Sequence, residues 1–307
     1  MSGRHAGLLA ALASVWGGSY LLIKYALQDV EPGVIVFART ALAAVVLYAI
    51  IRARGGAARA ALADGRRRPW MALWLGLVAV AAPFTLISFG ELEVPSGLTA
   101  VLIAPTSLFV ALFALGLDRS QGIDGRQAAG LVVGLGGVAL LVGVESVQSS
   151  GQLLGALAML GATACYGLAT FTVRGAYGDV PTITSSFFSV TAAALLTAPL
   201  GLATLPAEMP GARAIASVVV LGVLGTAAAF VVYYKLIAEI GGARAGLVSY
   251  LTPPIALFYG ALLLDEEITL AALAGLALIL GGVFLASSGR SAPAPVAQPL
   301  PEARRIG

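Results

Sequence analysis

The sequence predicts an all-α polytopic membrane protein with ten transmembrane helices, arranged as two inverted five-helix repeats. Three observations lead to this fold class: the composition, the length of the apolar segments and the similarity of the two halves. Of the 307 residues, 59% are hydrophobic and 11% are charged, whereas an ordinary soluble domain is about 45–50% apolar and about 25% charged. Because one water-soluble core cannot hide so much apolar surface, the composition excludes a soluble enzyme, a nucleic-acid-binding protein and a disordered protein.

Ten segments are long and apolar enough to cross a hydrocarbon core, which takes about 20 residues of helix. Membrane strands are not expected, because they are only about 9–11 residues long and alternate in polarity. The first segment is interpreted as a true span and not a cleaved signal peptide, because it continues apolar to Leu27. The ten predicted spans are 6–28, 33–51, 69–90, 96–117, 125–143, 152–174, 182–205, 212–235, 244–264 and 268–287.

The positions of the basic residues predict the orientation of these spans. With a cytoplasmic amino terminus, fifteen of the eighteen Lys and Arg residues face the cytoplasm, as the positive-inside rule requires. Both termini are therefore predicted to be cytoplasmic. The basic loop from Arg52 to Arg68 is interpreted as a topological signal and not as a lipid or nucleic-acid site. Residues 288–307, rich in Ala and Pro, are predicted to form a disordered cytoplasmic tail.

The two halves of the chain, residues 1–147 and 148–287, resemble each other and are predicted to be the two repeats. Trp16-Gly17 and Asp29-Val30 align with Tyr166-Gly167 and Asp179-Val180. Later residues align at a slightly smaller offset, including Pro105 with Pro253. Because each repeat has five spans, the second copy enters the membrane from the opposite side. Inverted repeats of this kind are typical of alternating-access transporters, which bind substrate between the repeats near the midplane.

Several short motifs in these repeats match a known family. They are the run 16–27, the arginine motif 37–43, Ala104-Pro105 with Leu108-Phe109, Thr252-Pro253-Pro254, and the acidic turn 264–269. As a set they resemble the EamA family of the drug/metabolite transporter superfamily. The resemblance implies a ten-helix carrier of small metabolites in a bacterial-type inner membrane. It is nearest to the bacterial amino-acid exporters typified by the aromatic amino-acid exporter. Asp118-Arg119, the first-half counterpart of the acidic turn, departs from the motif.

The candidate substrate-binding residues are aromatic and hydroxyl side chains at spacings that place them on single helix faces. A tyrosine within the bilayer needs a hydrogen-bond partner, which favours a polar interior, although helix packing or an interfacial belt remains the alternative for each residue. If the faces converge, the cavity suits a small amphipathic solute such as a neutral amino acid. The candidates are Trp16, Tyr20, Phe84, Ser88, Tyr166, Phe230, Tyr234 and Tyr250.

Prolines within the spans are the candidate hinges, because each removes a backbone hydrogen bond and bends its helix. Pro105 and Pro253-Pro254 lie at equivalent positions of the two repeats. A simple packing kink is the alternative interpretation. Pro83 aligns with Ala229, so a kink at this position is not expected to be duplicated.

Arg39 is the one charge well within a predicted span, and it is predicted to act at a gate. A structural hydrogen bond to a kinked helix is favoured over binding of the substrate carboxylate. All fifteen Asp and Glu residues are expected in loops or at helix ends, with Glu91, Glu93 and Glu239 facing water. Proton coupling through a deeply buried carboxylate is therefore not expected, since such coupling uses intramembrane acids.

These observations lead to a secondary transporter that exports amino acids by rocking its two repeats. No metal, cofactor or nucleic-acid partner is predicted, and the chain is expected to act as a monomer in the lipid bilayer. The sequence 130–134 (GxxxG) is expected to pack against another helix of the same chain. The alternatives left open are a drug, sugar-nucleotide or triose-phosphate carrier, a passive channel, and an intramembrane enzyme. An enzyme is not favoured because the spans contain no HExxH or GxSxG motif.

Overall fold

The computed structural model describes residues 2–56, 62, 69–117, 125–145, 149–176 and 182–287, and within these ranges all regular structure is helical. Eight helical segments are long and apolar enough to cross a membrane. Two further apolar helices, Val248–Leu264 and Leu270–Ala286, are shorter. The predicted all-helical, multi-pass membrane protein is thus confirmed, whereas the ten-span topology stays a prediction. The predicted tail, Asp118-Arg119 and most of the basic loop lie outside the described residues.

The helices follow the predicted spans closely. They are α1 (Gly3–Ala26), α2 (Pro32–Arg54), α3 (Pro69–Gly76), α4 (Ala82–Gly90), α5 (Ser96–Ile103), α6 (Thr106–Leu117), α7 (Gly125–Glu145), α8 (Ser150–Ala176), α9 (Thr182–Ala203), α10 (Ala212–Gly222), α11 (Ala229–Ile240), α12 (Gly242–Ala245), α13 (Val248–Leu264) and α14 (Leu270–Ser287). Two short π-helical segments, Leu77–Ala81 and Val223–Ala228, join α3 to α4 and α10 to α11.

Proline and glycine set several of the helix ends. Pro32 is the first residue of α2, where its missing N–H removes no helical hydrogen bond. Pro95 precedes α5. Gly241 ends α11 with a φ of +82°, a conformation that a residue with a Cβ rarely adopts. This turn and the short helix α12 place the start of α13 at Val248, after the predicted start of the ninth span at 244.

The helices of one half pack mainly on helices of the other half. The first helix of the first half, α1, contacts α10, α11 and α13. The first helix of the second half, α8, contacts α4, α5 and α6. In addition, α2 lies along α9 and α7 lies along α14. The interface between the halves is therefore continuous, and it runs through the centre of the molecule.

Glycines allow the closest of these approaches, between α7 and α14. A Cβ placed on Gly130 would collide with backbone atoms of Gly282 and Ala286, and one on Gly282 would collide with Gly134. The GxxxG sequence thus packs within the chain, as predicted.

The secondary structure differs at the two proline sites, and their action as paired hinges stays a prediction. Around Pro105 the chain leaves the helix between α5 and α6, and the Thr106 hydroxyl donates to the Ile103 carbonyl at 2.8 Å. Helix α13, however, continues through Pro253-Pro254. It is supported there by α1, because Gly17 lets the backbone of α13 approach closely. Proline is tolerated in membrane helices where such neighbours compensate for the lost hydrogen bond.

The irregularity before α4 is duplicated, so the prediction that it would be unique to the first half is wrong. A π-helical segment precedes both α4, which contains Pro83, and α11, which has Ala229 at the equivalent position. Proline is therefore not required for it. In the second half, the Thr226 hydroxyl donates to the Leu221 carbonyl at 2.9 Å, which provides a donor for an acceptor in the widened turn.

Candidate functional site

Arg39 lies at the interface between the two halves. Its side chain is buried, with 6% of the residue exposed. The Nε atom donates to Thr226 Oγ1 at 2.9 Å, and the guanidinium carbon lies 3.9 Å from the centre of the Phe84 ring. Thr226 belongs to the π-helical segment of the second half. Arg39 thus makes a hydrogen bond to an irregular helix. A structural hydrogen bond of this kind is the role that the sequence analysis favoured over binding of the substrate carboxylate.

Aromatic residues from both halves surround this arginine. Tyr20 on α1 and Tyr166 on α8 are close enough to Arg39, and to each other, to interact electrostatically. Phe84, Tyr166 and Phe230 share one apolar cluster. Five of the helices that carry predicted site residues therefore converge here. We call Tyr20, Arg39, Phe84, Tyr166 and Phe230 the central cluster.

The remaining predicted residues lie at varying distances from the central cluster. Ser88 is buried one turn beyond Phe84, and Tyr250 packs against the same apolar cluster as Tyr20. Trp16 packs elsewhere, with its ring 5.3 Å from that of Tyr233. The side chain of Tyr234 lies outside the described residues. Pro105 and Pro253 are buried, whereas Pro254 is exposed.

A cavity of about 370 Å³ lies at one end of the helix bundle. It is bounded by the end of α1, the turn after α4 and the segment that joins α13 to α14. Its lining includes none of the predicted substrate-binding residues. The residues that line it are Lys24, Leu27, Gln28, Glu91, Leu92, Leu264 and Glu266.

Glu266, in the second half of the chain, caps the N-terminus of α5 in the first half and so joins two of the elements near this cavity. Its Oε1 accepts from the Ser96 backbone N–H at 2.7 Å, and its Oε2 accepts from the Gly97 N–H at 2.9 Å. The Ser96 hydroxyl donates to Oε2 at 3.1 Å. Because these are among the N–H groups that a helix leaves unpaired at its start, a carboxylate is well suited to them. Asp265, with a φ of +54°, makes the turn that presents Glu266.

Glu91 is fully buried, which contradicts the prediction that it faces water. Both of its carboxylate oxygens are buried, and neither has a hydrogen-bond partner within the part of the chain that the structure describes, while its backbone carbonyl accepts from Lys24 Nζ. The physical reason is a close helix contact: Gly90 lets α4 pack tightly on Gly155 and Met159 of α8, so the turn after Gly90 is enclosed. Burial raises the pKa of Glu91 well above its ordinary value, while Lys24 opposes this effect and Glu266 adds to it.

The other two predicted water-facing carboxylates are exposed. Glu93 lies on the surface. Glu239 lies at the opposite end of the bundle, where its Oε2 is 3.1 Å from His5 Nε2. Arg4 and Lys235 lie 3.9 and 4.0 Å from Glu239 Oε1. Within the described part of the chain, no group of His, Cys, Asp and Glu could hold a metal ion.

Sequence reasoning missed the roles of Glu91, Glu266 and Thr226. The acidic turn did point to Glu266 as a motif, but not to its hydrogen bonds with α5. Thr226 lies within an apolar run, which was a usable signal for a buried hydroxyl. The burial of Glu91 could not be seen in the sequence, because two carboxylates close together at a helix end, Glu91 and Glu93, are typical of a solvated loop.

Most of the chain matches one family model. The model of the family described as "EamA-like transporter family" matches residues 4–143 and 153–288. Among curated proteins, the chain is 26% identical over 297 residues to "Uncharacterized inner membrane transporter YedA" of Escherichia coli, covering 92% of this chain and 90% of that protein. It is 24% identical over 280 residues to "Uncharacterized transporter YoaV" of Bacillus subtilis, covering 90% and 94%.

A third relative carries a more specific name. The "Probable terminal-alkyne amino-acid exporter" of Streptantibioticus cattleyicolor is 27% identical over 275 residues, covering 88% of this chain and 89% of that protein. A solved crystal structure superposes with a TM-score of 0.66 at 20% sequence identity, covering 94% of this chain and 97% of the other. That likeness supports the fold alone.

Proposed function

Because this chain belongs to the EamA-like transporter family, we propose that it is an inner-membrane secondary transporter that exports aromatic and other neutral amino acids. The observation that carries the substrate class is the central cluster, where aromatic rings and two tyrosine hydroxyls from both halves surround one arginine. Such a site offers apolar surface with a few polar groups, which suits a small amphipathic solute. An anionic sugar phosphate would need several basic groups, whereas the central cluster contains one, Arg39, so this substrate class fits the site less well.

The transport mechanism we propose is alternating access of two inverted repeats, residues 1–147 and 148–287. Two features support it. The contacts of α1 with the second half resemble those of α8 with the first half. The π-helical segments begin at Leu77 and Val223, the same spacing that separates Phe84 from Phe230. In this arrangement all ten apolar helices cross the membrane, and rocking of the halves changes the exposure of the central cluster.

The proposed orientation places both termini in the cytoplasm, following the positive-inside rule. Glu239 and His5 then lie at the cytoplasmic end, and the cavity beside Glu91 lies at the outer end. The amino-acid substrate is supported by the name of one distant relative. The likeness to the aromatic amino-acid exporter remains a prediction from the sequence motifs.

Counterflow in proteoliposomes tests this function. Vesicles loaded with unlabelled phenylalanine are diluted into a trace of labelled phenylalanine without an ion gradient. We expect a saturable, transient overshoot of label. Flux that never saturates would indicate a channel, and no overshoot despite confirmed insertion would show that the substrate class is wrong.

Matched variants connect the transport to the predicted site. Tyr20→Ala and Tyr166→Ala should lower the counterflow rate while expression stays normal. Trp70→Ala is the control, because Trp70 is 81% exposed. Equal rates in all three variants would remove Tyr20 and Tyr166 from the binding site.

A further inference from the structure

We propose that Glu91 is a proton-binding site, so that transport by this chain is coupled to the movement of a proton. The proposal rests on the transport function proposed above and extends it to an energy source. It replaces the expectation from the sequence that no buried carboxylate is available for coupling.

The geometry around Glu91 favours the protonated form. Its side chain is fully buried, and among the described residues neither oxygen has a hydrogen-bond partner. An ionised carboxylate in such a place lacks hydrogen-bond donors from the protein and is poorly solvated, so it is far less stable there than the neutral acid. A site with permanent negative charge would be expected to hold donors, as the carboxylate of Glu266 does with Ser96 and Gly97.

The charged and titratable groups around Glu91 come from several elements. Lys24 and Tyr20 on α1, Arg39 on α2, and Glu266 before α14 interact with it electrostatically. Helix α8, which packs at Gly90, contributes the uncharged residues Gly155 and Met159 there. Lys24 and Arg39 favour ionisation, whereas Glu266 opposes it.

Lys24 provides the means to stabilise the other protonation state. Its ammonium donates to the backbone carbonyl of Glu91 itself. When Glu91 releases its proton, the same ammonium can move from that carbonyl to the new carboxylate and form an ion pair. Lys24 also lines the cavity, so water that enters there can supply or accept the proton.

The coupled step is then a simple protonation. In a conformation where water on one side of the membrane reaches the carboxylate, Glu91 is ionised and takes one proton from that solution. Enclosing the neutral carboxyl gives the conformation seen here. When the two halves change conformation and water from the opposite side reaches the group, Glu91 releases its proton there, so each conformational cycle carries one proton across the membrane.

Infrared difference spectroscopy tests the proton site without any transported substrate. The purified full-length chain in liposomes should show the C=O stretching band of a buried protonated carboxyl at neutral pH. Glu91→Gln should lose this band, while Glu93→Gln, the matched control at an exposed carboxylate two residues away, should keep it. A wild-type spectrum without the band, or a band that persists in Glu91→Gln, would overturn the proposal.

Flux measurements test the coupling. A pH gradient imposed across proteoliposomes should accelerate phenylalanine flux by the wild type and by Glu93→Gln. In Glu91→Gln the stimulation should be lost, while counterflow without a gradient continues. Wild-type counterflow that ignores the pH gradient would refute coupling and leave the proposed transport function intact. Absent counterflow with an intact carboxyl band would refute the substrate class and leave the proton site standing.

Discussion

Replacing Glu266 by alanine should destabilise the chain more than any neighbouring loop substitution. The carboxylate of Glu266 accepts three hydrogen bonds, from the backbone N–H of Ser96, the N–H of Gly97 and the Ser96 hydroxyl, at 2.7, 2.9 and 3.1 Å. These bonds join the segment after α13 to the start of α5, and hence one half of the chain to the other.

The size of the effect follows from what the substitution leaves behind. Ser96 is 1% exposed and Gly97 is also buried, so Glu266→Ala leaves two buried backbone N–H groups without a hydrogen-bond acceptor. Each buried unpaired donor costs about 1–3 kcal/mol. Since the adjacent cavity can admit water to part of the site, we expect a loss of about 2–4 kcal/mol in the free energy of unfolding. Glu266→Gln keeps one carbonyl oxygen as acceptor and should lose about half as much.

Reversible unfolding in mixed detergent micelles, followed by circular dichroism, measures this loss. Glu267→Ala is the matched control, because Glu267 is the adjacent carboxylate and is exposed. If Glu266→Ala and Glu267→Ala differ by less than about 0.5 kcal/mol, the size of ordinary surface effects, then the hydrogen bonds to α5 do not stabilise the interface between the halves.

Three further substitutions test other contacts. Arg39→Lys removes the guanidinium that stacks on an aromatic ring and should cost about 1–3 kcal/mol of unfolding free energy; a double-mutant cycle with Thr226→Val should reveal a coupling above about 0.5 kcal/mol. Gly130→Leu should cause aggregation in size-exclusion chromatography because it separates α7 from α14, whereas Gly136→Leu, with open space at its Cβ, should remain monodisperse. Glu91→Gln should match the wild type in thermal unfolding at acid pH and exceed it at alkaline pH, because a group with a raised pKa loses its contribution to stability as the pH rises through that pKa.

The helical membrane fold could be predicted from the sequence because length and apolarity alone specify a spanning segment. Helix irregularities could not. Pro105 and Pro253-Pro254 occupy equivalent positions in the sequence, yet α13 continues as a helix through Pro253-Pro254, close to Gly17 of α1, whereas the chain leaves the helix at Pro105. The π-helical segment before α11 contains no proline that could have revealed it in the sequence. The Thr226 hydroxyl within this segment donates a hydrogen bond to the Leu221 carbonyl.

The candidate site residues could be predicted where their spacing in the sequence places them on one face of a helix. Tyr20 and Tyr166 lie on the predicted faces of α1 and α8, the first helices of the two halves, and the structure brings both towards Arg39. The burial of Glu91 depends instead on how closely α4 approaches α8 at Gly90, a distance between helices that no local pattern contains. Residues at helix ends therefore need the tertiary structure before their exposure can be assigned.

The position of Glu91 breaks the similarity between the halves in a way that matters for transport. The residue that aligns with it in the second half is Ile237, so the proposed proton site occurs in the first half only. By contrast, Glu93 aligns with Glu239, so both halves have a carboxylate at that position. Two inverted repeats of equal conformational preference would populate their two states alike. Protonation of a single buried carboxylate stabilises only the state in which that carboxylate is enclosed, because a ligand shifts an equilibrium by its difference in affinity for the two states. Because the proton binds from one side of the membrane and leaves on the other, a proton gradient would give direction to an otherwise symmetric exchange between conformations.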